Sequence, residues 1–219
     1  MLKAIFWDND GILVDTEHLY FQASQEALRQ AGIDLPLTDF VRLTLDLGRS
    51  PLVLAEGRGL SPEEIETLRH LKNRRYSELL EDGAAPMAGA LETLAALHGK
   101  VAMAIVTSSR KDHFDLIHRQ NGMLSYFDFI LTREDYPHSK PSPDPYLKAL
   151  ATSGLMPEEC LVIEDTRRGL QAALAAGLRC IVIPNRLATD NSYPGAYHIL
   201  PDLNRARDFL LQQDLWFGT

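Results

Sequence analysis

The chain reads as an α/β protein: a doubly wound, mostly parallel sheet with an inserted α-helical lid. Three observations predict this. Short apolar runs alternate with amphipathic stretches through most of the 219 residues, as successive βα units require. Several of the runs are continuous rather than alternating, the pattern of strands buried on both faces. One early stretch, roughly residues 17–82, shows helical patterns and no convincing strand.

The first strand is predicted over Lys3–Trp7 and runs into Asp8-Asn9-Asp10-Gly11. The insertion opens with a helix over Glu17–Ala31, where Leu19, Ala23, Ala27 and Leu28 form a stripe that ends near Gly32. A further helix starts after Ser61, since Ser61, Pro62 and Glu64 supply an N-cap, a first-turn proline and a capping-box carboxylate. It carries Leu68, Leu71, Leu79 and Leu80. The chain returns through the hinge-like Asp82-Gly83-Ala84-Ala85-Pro86. Helices over Ala88–Leu97, Lys111–Asn121, Pro143–Ser153 and Arg167–Ala176 then alternate with strands over Val101–Val106, Phe129–Leu131, Leu161–Ile163 and Cys180–Ile183. Gly154 and Gly177 close two of these helices. The apolar piece His198–Leu200 leads to a last helix, Leu203–Gln212. The predicted domains are an α/β core of residues 1–15 and 84–219, and a helical cap of residues 16–83.

The composition is that of an ordinary globular protein, 45% hydrophobic and 24% charged. A net charge of −8 argues against a nucleic-acid surface, which needs a basic stripe. It leaves room for a small anionic substrate held by a few local cations. No apolar run approaches the length of a membrane span, and the start shows no leader pattern. The expectation is a cytoplasmic protein without a membrane partner. Cys160 and Cys180 flank apolar strands and are expected as buried thiols rather than a disulfide.

Four acids concentrate the chemistry. Asp8 and Asp10 close the first strand; Glu164 and Asp165 close Leu161-Val162-Ile163. Carboxyl ends of parallel strands meet in one crevice, where ligands bind, so neighbouring strands would bring all four together. Two such charges about 4 Å apart repel by roughly 4 kcal/mol at an effective dielectric of 20. The cluster needs a cation or shared protons. Neither stretch contains Cys or His, and hard oxygen ligands suit Mg²⁺ better than Zn²⁺. Helix capping is the alternative use of these aspartates. Asp8 can attack phosphorus, and Asp10 can move the proton. Gly11 permits the tight backbone this requires.

The stretch from Asp8 to Glu17 resembles the opening motif of haloacid-dehalogenase-like (HAD) phosphohydrolases. Three further motifs agree in order. Val106 leads into Thr107-Ser108-Ser109, similar to the second motif, whose hydroxyl binds phosphate. Ser139-Lys140-Pro141 resembles the third, whose lysine neutralises the phosphoryl group and nucleophile. Glu164-Asp165-Thr166 with Gly169 resembles the fourth, which completes a Mg²⁺ site. The resemblance implies a Rossmann-like core and an aspartyl-phosphate intermediate on Asp8. It implies acid–base work by Asp10, and phosphate contacts from Thr107, Ser108 and Lys140. Metal ligands would be Asp8, the Asp10 backbone carbonyl and Asp165, with Glu164 direct or through water. Independently, Pro141 and Pro143 restrain the loop of Lys140, and Thr107 and Ser108 precede a helix where hydroxyl and N–H groups can bind an anion.

Within that family, a helical insert after the first motif resembles phosphoglycolate and sugar-phosphate phosphatases, and beta-phosphoglucomutase. Thr16, Gly48-Arg49-Ser50, Lys72-Asn73 and Tyr76 fit the mutase pattern. Tyr20 stands where that pattern has His, and Lys111 where it has Asn. The expectation is a phosphatase acting on a small phosphorylated metabolite, with a mutase and a non-catalytic binding protein as alternatives. Thr16, Arg49 and Lys72 are the cap residues expected near substrate. Lys72, Arg74 and Arg75 otherwise read as an exposed helix face, and His18 as a linker residue. Oligomeric state is open.

Overall fold

The computed structural model describes residues 1–81, 83–188 and 192–212. Its six-stranded sheet consists of β1 (Ala4–Trp7), β2 (Ala102–Val106), β3 (Phe129–Leu131), β4 (Cys160–Glu164), β5 (Arg179–Val182) and β6 (His198–Ile199). All pairings are parallel, in the order β3-β2-β1-β4-β5-β6. β1 lies between β2 and β4, with Trp7 opposite both Ile105 and Ile163. The chain order reverses at β1, so its carboxyl end is the switch point of the sheet.

The continuous apolar strands arise because helices cover both faces. Ile5, Trp7, Met103, Ile105, Leu161 and Ile163 point to one side. There they meet α5 (Ala90–Leu97), α6 (Lys111–Ile117) and α9 (Leu203–Gln212). Ala4, Phe6, Ala104, Val106, Cys160 and Val162 point to the other side, against α7 (Asp144–Ser153) and α8 (Arg167–Ala175). This is the two-residue alternation of a strand read against two cores. Cys160 and Cys180 are buried free thiols, as expected.

Between β1 and α5 lie α1 (Glu17–Arg29), α2 (Leu37–Phe40) running into a π-helical turn at Val41–Asp46, α3 (Val53–Gly57) and α4 (Pro62–Leu79). No strand occurs there among the described residues. These helices have their own apolar cluster, including Leu28, Leu35, Phe40, Leu52 and Leu68. The expected capping box forms: the Glu64 N–H donates to Ser61 Oγ, and the Ser61 N–H donates to Glu64 Oε2 at 2.7 Å. Asp82, part of the expected hinge, lies outside the described residues, as do residues 189–191 and 213–219 of the expected core.

Two expectations are corrected. The helix expected to reach Asn121 ends at Ile117. Asn121 Nδ2 donates to the Ile117 carbonyl at 3.3 Å, its Oδ1 accepts from the Met123 N–H, and Gly122 follows at φ 68°. Side-chain bonds thus replace the last helical turn. Lys72 is not on an exposed face: it is 7% exposed and donates from Nζ to Tyr20 Oη at 2.8 Å. Its ammonium also lies over the Tyr20 ring. No helix of the described residues is long and apolar enough to cross a membrane.

Candidate active site

Because β1 and β4 are neighbours, Asp8, Glu164 and Asp165 converge beyond the strand ends. Each offers one carboxylate oxygen to a group lying within 4.8 Å of one another. Lys140 enters from the loop before α7, where Lys140–Pro141 is a cis peptide. Its Nζ lies 2.8 Å from Asp8 Oδ1 and 2.6 Å from Glu164 Oε1, and donates to the Val106 carbonyl at 2.8 Å. Tyr146 Oη donates to the same Glu164 oxygen at 2.6 Å. Lys140 is therefore held by two carboxylates and a carbonyl, and one ammonium neutralises only part of the cluster.

Burial raises the Asp8 carboxyl to about 7, with Glu164 adding to the rise and Lys140 opposing it. Burial and then the charge of Glu17 push Asp165 well up. Glu17 is itself raised to about 7, chiefly by burial. Burial alone would lower Lys140, but Asp8 and Glu164 outweigh it and raise its pKa. These carboxyls resist ionising together unless a cation joins them. Asp165 Oδ1 is buried with no hydrogen-bond partner. An orphaned acceptor among hard oxygens fits a divalent metal such as Mg²⁺.

Asp10 projects beside this cluster. Its Oδ1 accepts from Thr16 Oγ1 at 2.5 Å. Its Oδ2 accepts from Ser109 Oγ at 2.7 Å, Thr107 Oγ1 at 3.2 Å and Asn9 Nδ2 at 3.3 Å. Ser108 Oγ, expected at the phosphate, is buried without a hydrogen-bond partner. Two glycines of the motifs are sterically obligatory. A Cβ on Gly11, at φ +80°, would stand 2.2 Å from Asp165 Oδ2. One on Gly169 would meet the Glu164 carboxyl carbon at 2.0 Å.

Above these groups opens a cavity of about 440 Å³, of ordinary size for a small ligand. Asp8, Asp10, Thr107, Ser108 and Asp165 line it from the core; Thr16, Arg49 and Lys72 line it from the inserted helices. Lys140 lies beneath, against Asp8. His18 stays outside that lining, exposed, with Nδ1 3.3 Å from Asp15 Oδ1. Lys111 is also outside it and pairs with Asp115.

Sequence reasoning gave no role to four of the residues found here. Asn185 Nδ2 donates to Asp165 Oδ2 and to Glu17 Oε1, both at 2.5 Å. Tyr146 braces Glu164. Arg168 lines the cavity, and its Nε is buried without a partner. Glu17 stood at the end of the opening motif, whereas Asn185, Tyr146 and Arg168 had no spacing signal. Only the tertiary fold delivers them.

Comparison with known proteins agrees with this architecture. Residues 5–183 match the family Haloacid dehalogenase-like hydrolase. The protein CbbY (plasmid) of Cupriavidus necator is 31% identical over 92% of this chain and 86% of its own length. The phosphorylated carbohydrates phosphatase of Thermotoga maritima is 31% identical over 82% of this chain and 84% of its own. The crystal structure of CbbY from Rhodobacter sphaeroides in complex with phosphate superposes with a TM-score of 0.78 at 28% identity, covering 93% of this chain and 95% of that one. With four motifs assembled at one switch point and a family match across most of its length, the chain belongs to the haloacid dehalogenase-like hydrolases.

Proposed function

We propose that the protein is a Mg²⁺-dependent phosphatase that hydrolyses a small phosphate monoester, of the sugar-phosphate or phosphoglycolate type, through an aspartyl phosphate on Asp8. The observation that carries this reading is the Asp8–Lys140 contact of 2.8 Å at the floor of the cavity, with the Asp10 carboxyl beside it. A carboxylate oxygen of Asp8 attacks phosphorus, and the bond from phosphorus to the ester oxygen breaks. The departing oxygen takes its proton from Asp10. Asp10 then removes a proton from water, which attacks the same phosphorus and releases Asp8. Ser108 and Lys140 stabilise the phosphoryl oxygens. Asp8, the Asp10 backbone carbonyl and Asp165 would hold the metal, with Glu164 chiefly fixing Lys140. When bound, the metal neutralises the carboxylates and polarises the phosphoryl group.

In this reading residues 16–83 act as a lid over a core of residues 1–15 and 84–219, excluding water and touching the rest of the substrate. Arg49 from the lid and Arg168 from the core would bind a distal polar or anionic group. Hydrolysis is favoured over phosphosugar isomerisation by two departures. Tyr20 fills the position of the mutase histidine and is tied to Lys72. Lys111 lies outside the cavity lining. A Mg²⁺-containing screen of phosphorylated metabolites, scoring free phosphate and isomer separately, tests the reading. Phosphate released in proportion to substrate supports it. Conversion of beta-glucose 1-phosphate to glucose 6-phosphate, much faster than phosphate release, overturns it.

A further inference from the structure

A polar chain runs from Asn121, just past the end of α6, through His118 and Asn9 to Asp10. Asn9, between the two motif aspartates, is fully buried. Its Oδ1 lies 2.7 Å from His118 Nε2, and its Nδ2 donates to Asp10 Oδ2 at 3.3 Å. Beyond the ring, Asn121 Nδ2 lies 3.0 Å from His118 Nδ1, while Asn121 Oδ1 accepts from the Met123 N–H at 3.1 Å. His118 Nδ1 also lies 3.2 Å from Asn121 Oδ1, so the donor order is set from the other end of the chain. The Asp10 carboxylate only accepts, so the Asn9 NH₂ faces it and Asn9 Oδ1 faces His118 Nε2, which then carries the proton. The two contacts hold the Asn9 amide in one orientation. Burial pushes the His118 pKa down, in keeping with a neutral ring that carries one proton. The ring also packs on Phe114, with centroids 4.5 Å apart. Of Asn121, His118, Asn9 and Asp10, only Asp10 lines the cavity.

We infer that His118 and Asn9 are positioning residues for Asp10: His118 sets the orientation of the Asn9 amide, which holds the Asp10 carboxyl where it exchanges a proton with the ester oxygen and with water. The Asn9 backbone is fixed as well, since its main-chain carbonyl accepts the Leu13 N–H at 2.7 Å and the Val14 N–H at 3.2 Å. Thr16, Thr107 and Ser109 also donate to Asp10, through hydroxyl protons that rotate to suit their acceptor. Asn9 is the one amide among these donors, and its oxygen is held by the buried His118 ring. The inference rests on the phosphatase reading and adds the device that aims its acid–base group.

The test compares wild type with His118→Phe, His118→Gln, Asn9→Leu and the double variant Asn9→Leu/His118→Phe. Each is assayed with Mg²⁺ on p-nitrophenyl phosphate, whose leaving group needs no proton, and on glycerol 2-phosphate, whose leaving group does. Far-UV circular dichroism and melting temperature establish folding. His118→Phe is expected to lower kcat on the alkyl ester about tenfold, a fraction of the 10²–10⁴ that general acid–base catalysis contributes. KM should stay within about twofold, and the loss on the aryl ester should be smaller. His118→Gln, which can place an amide donor toward Asn9, should recover most of the loss. Asn9→Leu should match the double variant, because both residues act through one contact. A folded His118→Phe with wild-type kcat on the alkyl ester overturns the inference. So does an equal loss on both esters, or a His118→Gln no better than His118→Phe. These outcomes leave the phosphatase reading standing; a wild type that releases phosphate from neither ester removes both.

Discussion

Replacing Lys140 by methionine isolates the electrostatic problem on which the site is built. The substitution keeps most of the side-chain volume and removes the one ammonium lying 2.8 Å from Asp8 and 2.6 Å from Glu164. The lysine side chain is 2% exposed, against 0% for Glu164 and 13% for Asp8. Removing one partner of such a buried pair costs about 3–5 kcal/mol, because the remaining charge is left without compensation. For a chain of this size, each kcal/mol corresponds to about 2–4 °C in melting temperature. The expected loss is therefore about 6–20 °C in the presence of a chelator. The pH dependence has a defined sign. Asp8 is raised from 3.8 to about 7 even beside Lys140. Its contribution to metal-free stability is thus full below 3.8 and lost as pH rises through about 7. The penalty of Lys140→Met should be largest above that value and shrink toward pH 5. Added Mg²⁺ should restore part of it. Differential scanning fluorimetry across pH, with and without Mg²⁺, reads all of these effects. A variant that melts within about 2 °C of wild type at pH 8 in chelator would refute the claim that Lys140 holds the carboxylates together.

Other expectations follow from the same geometry. In wild type, the gain in melting temperature from saturating Mg²⁺ should grow between pH 5 and 8, as protons cease to compete for Asp8 and Asp165; a gain independent of pH argues against metal at these carboxyls. Asp10→Asn should lose about 10²–10⁴ in turnover on an alkyl phosphate while still binding metal, because its expected ligand is the backbone carbonyl; near-native turnover removes Asp10 from proton transfer. Arg49→Ala and Arg168→Ala should chiefly raise KM for substrates carrying a second anionic group; unchanged kinetics across such substrates remove both guanidinium groups from substrate binding. Chelation should abolish turnover and Mg²⁺ restore it; full activity after exhaustive chelation, with metal content checked, contradicts the metal requirement.

The parts of the site carried by local sequence were legible before the structure. Asp8 and Asp10 end an apolar strand, Glu164 and Asp165 end another, and their meeting requires only that β1 and β4 be neighbours. The two-sided burial of the strands was readable because their apolar runs do not alternate. Lys140 was marked by its prolines and by motif order. What stayed hidden depends on tertiary placement. Lys72 reads as one more charge on a polar helix, yet it turns inward because Tyr20 offers both a hydroxyl and a ring face. Asn185 follows a strand like any loop residue, and only the fold puts its amide between Asp165 and Glu17. The early end of α6 had the same origin. Asn121 competes for backbone partners more effectively than one more helical turn would, and that turn carries His118 to Asn9.

The account stands on covalent phosphoryl transfer to Asp8, and trapping that species tests it most directly. Wild type and Asp10→Asn would be mixed with Mg²⁺ and p-nitrophenyl phosphate, whose leaving group needs no proton from Asp10, then quenched in acid. Reduction with borohydride converts an aspartyl phosphate to homoserine, which peptide mass spectrometry locates. The prediction is homoserine at position 8 in both proteins, more abundant in Asp10→Asn because its intermediate waits for an activated water, and none when chelator replaces Mg²⁺. Turnover with no modification at position 8 in either protein, or modification at another carboxylate, would contradict the assignment of Asp8 as the nucleophile.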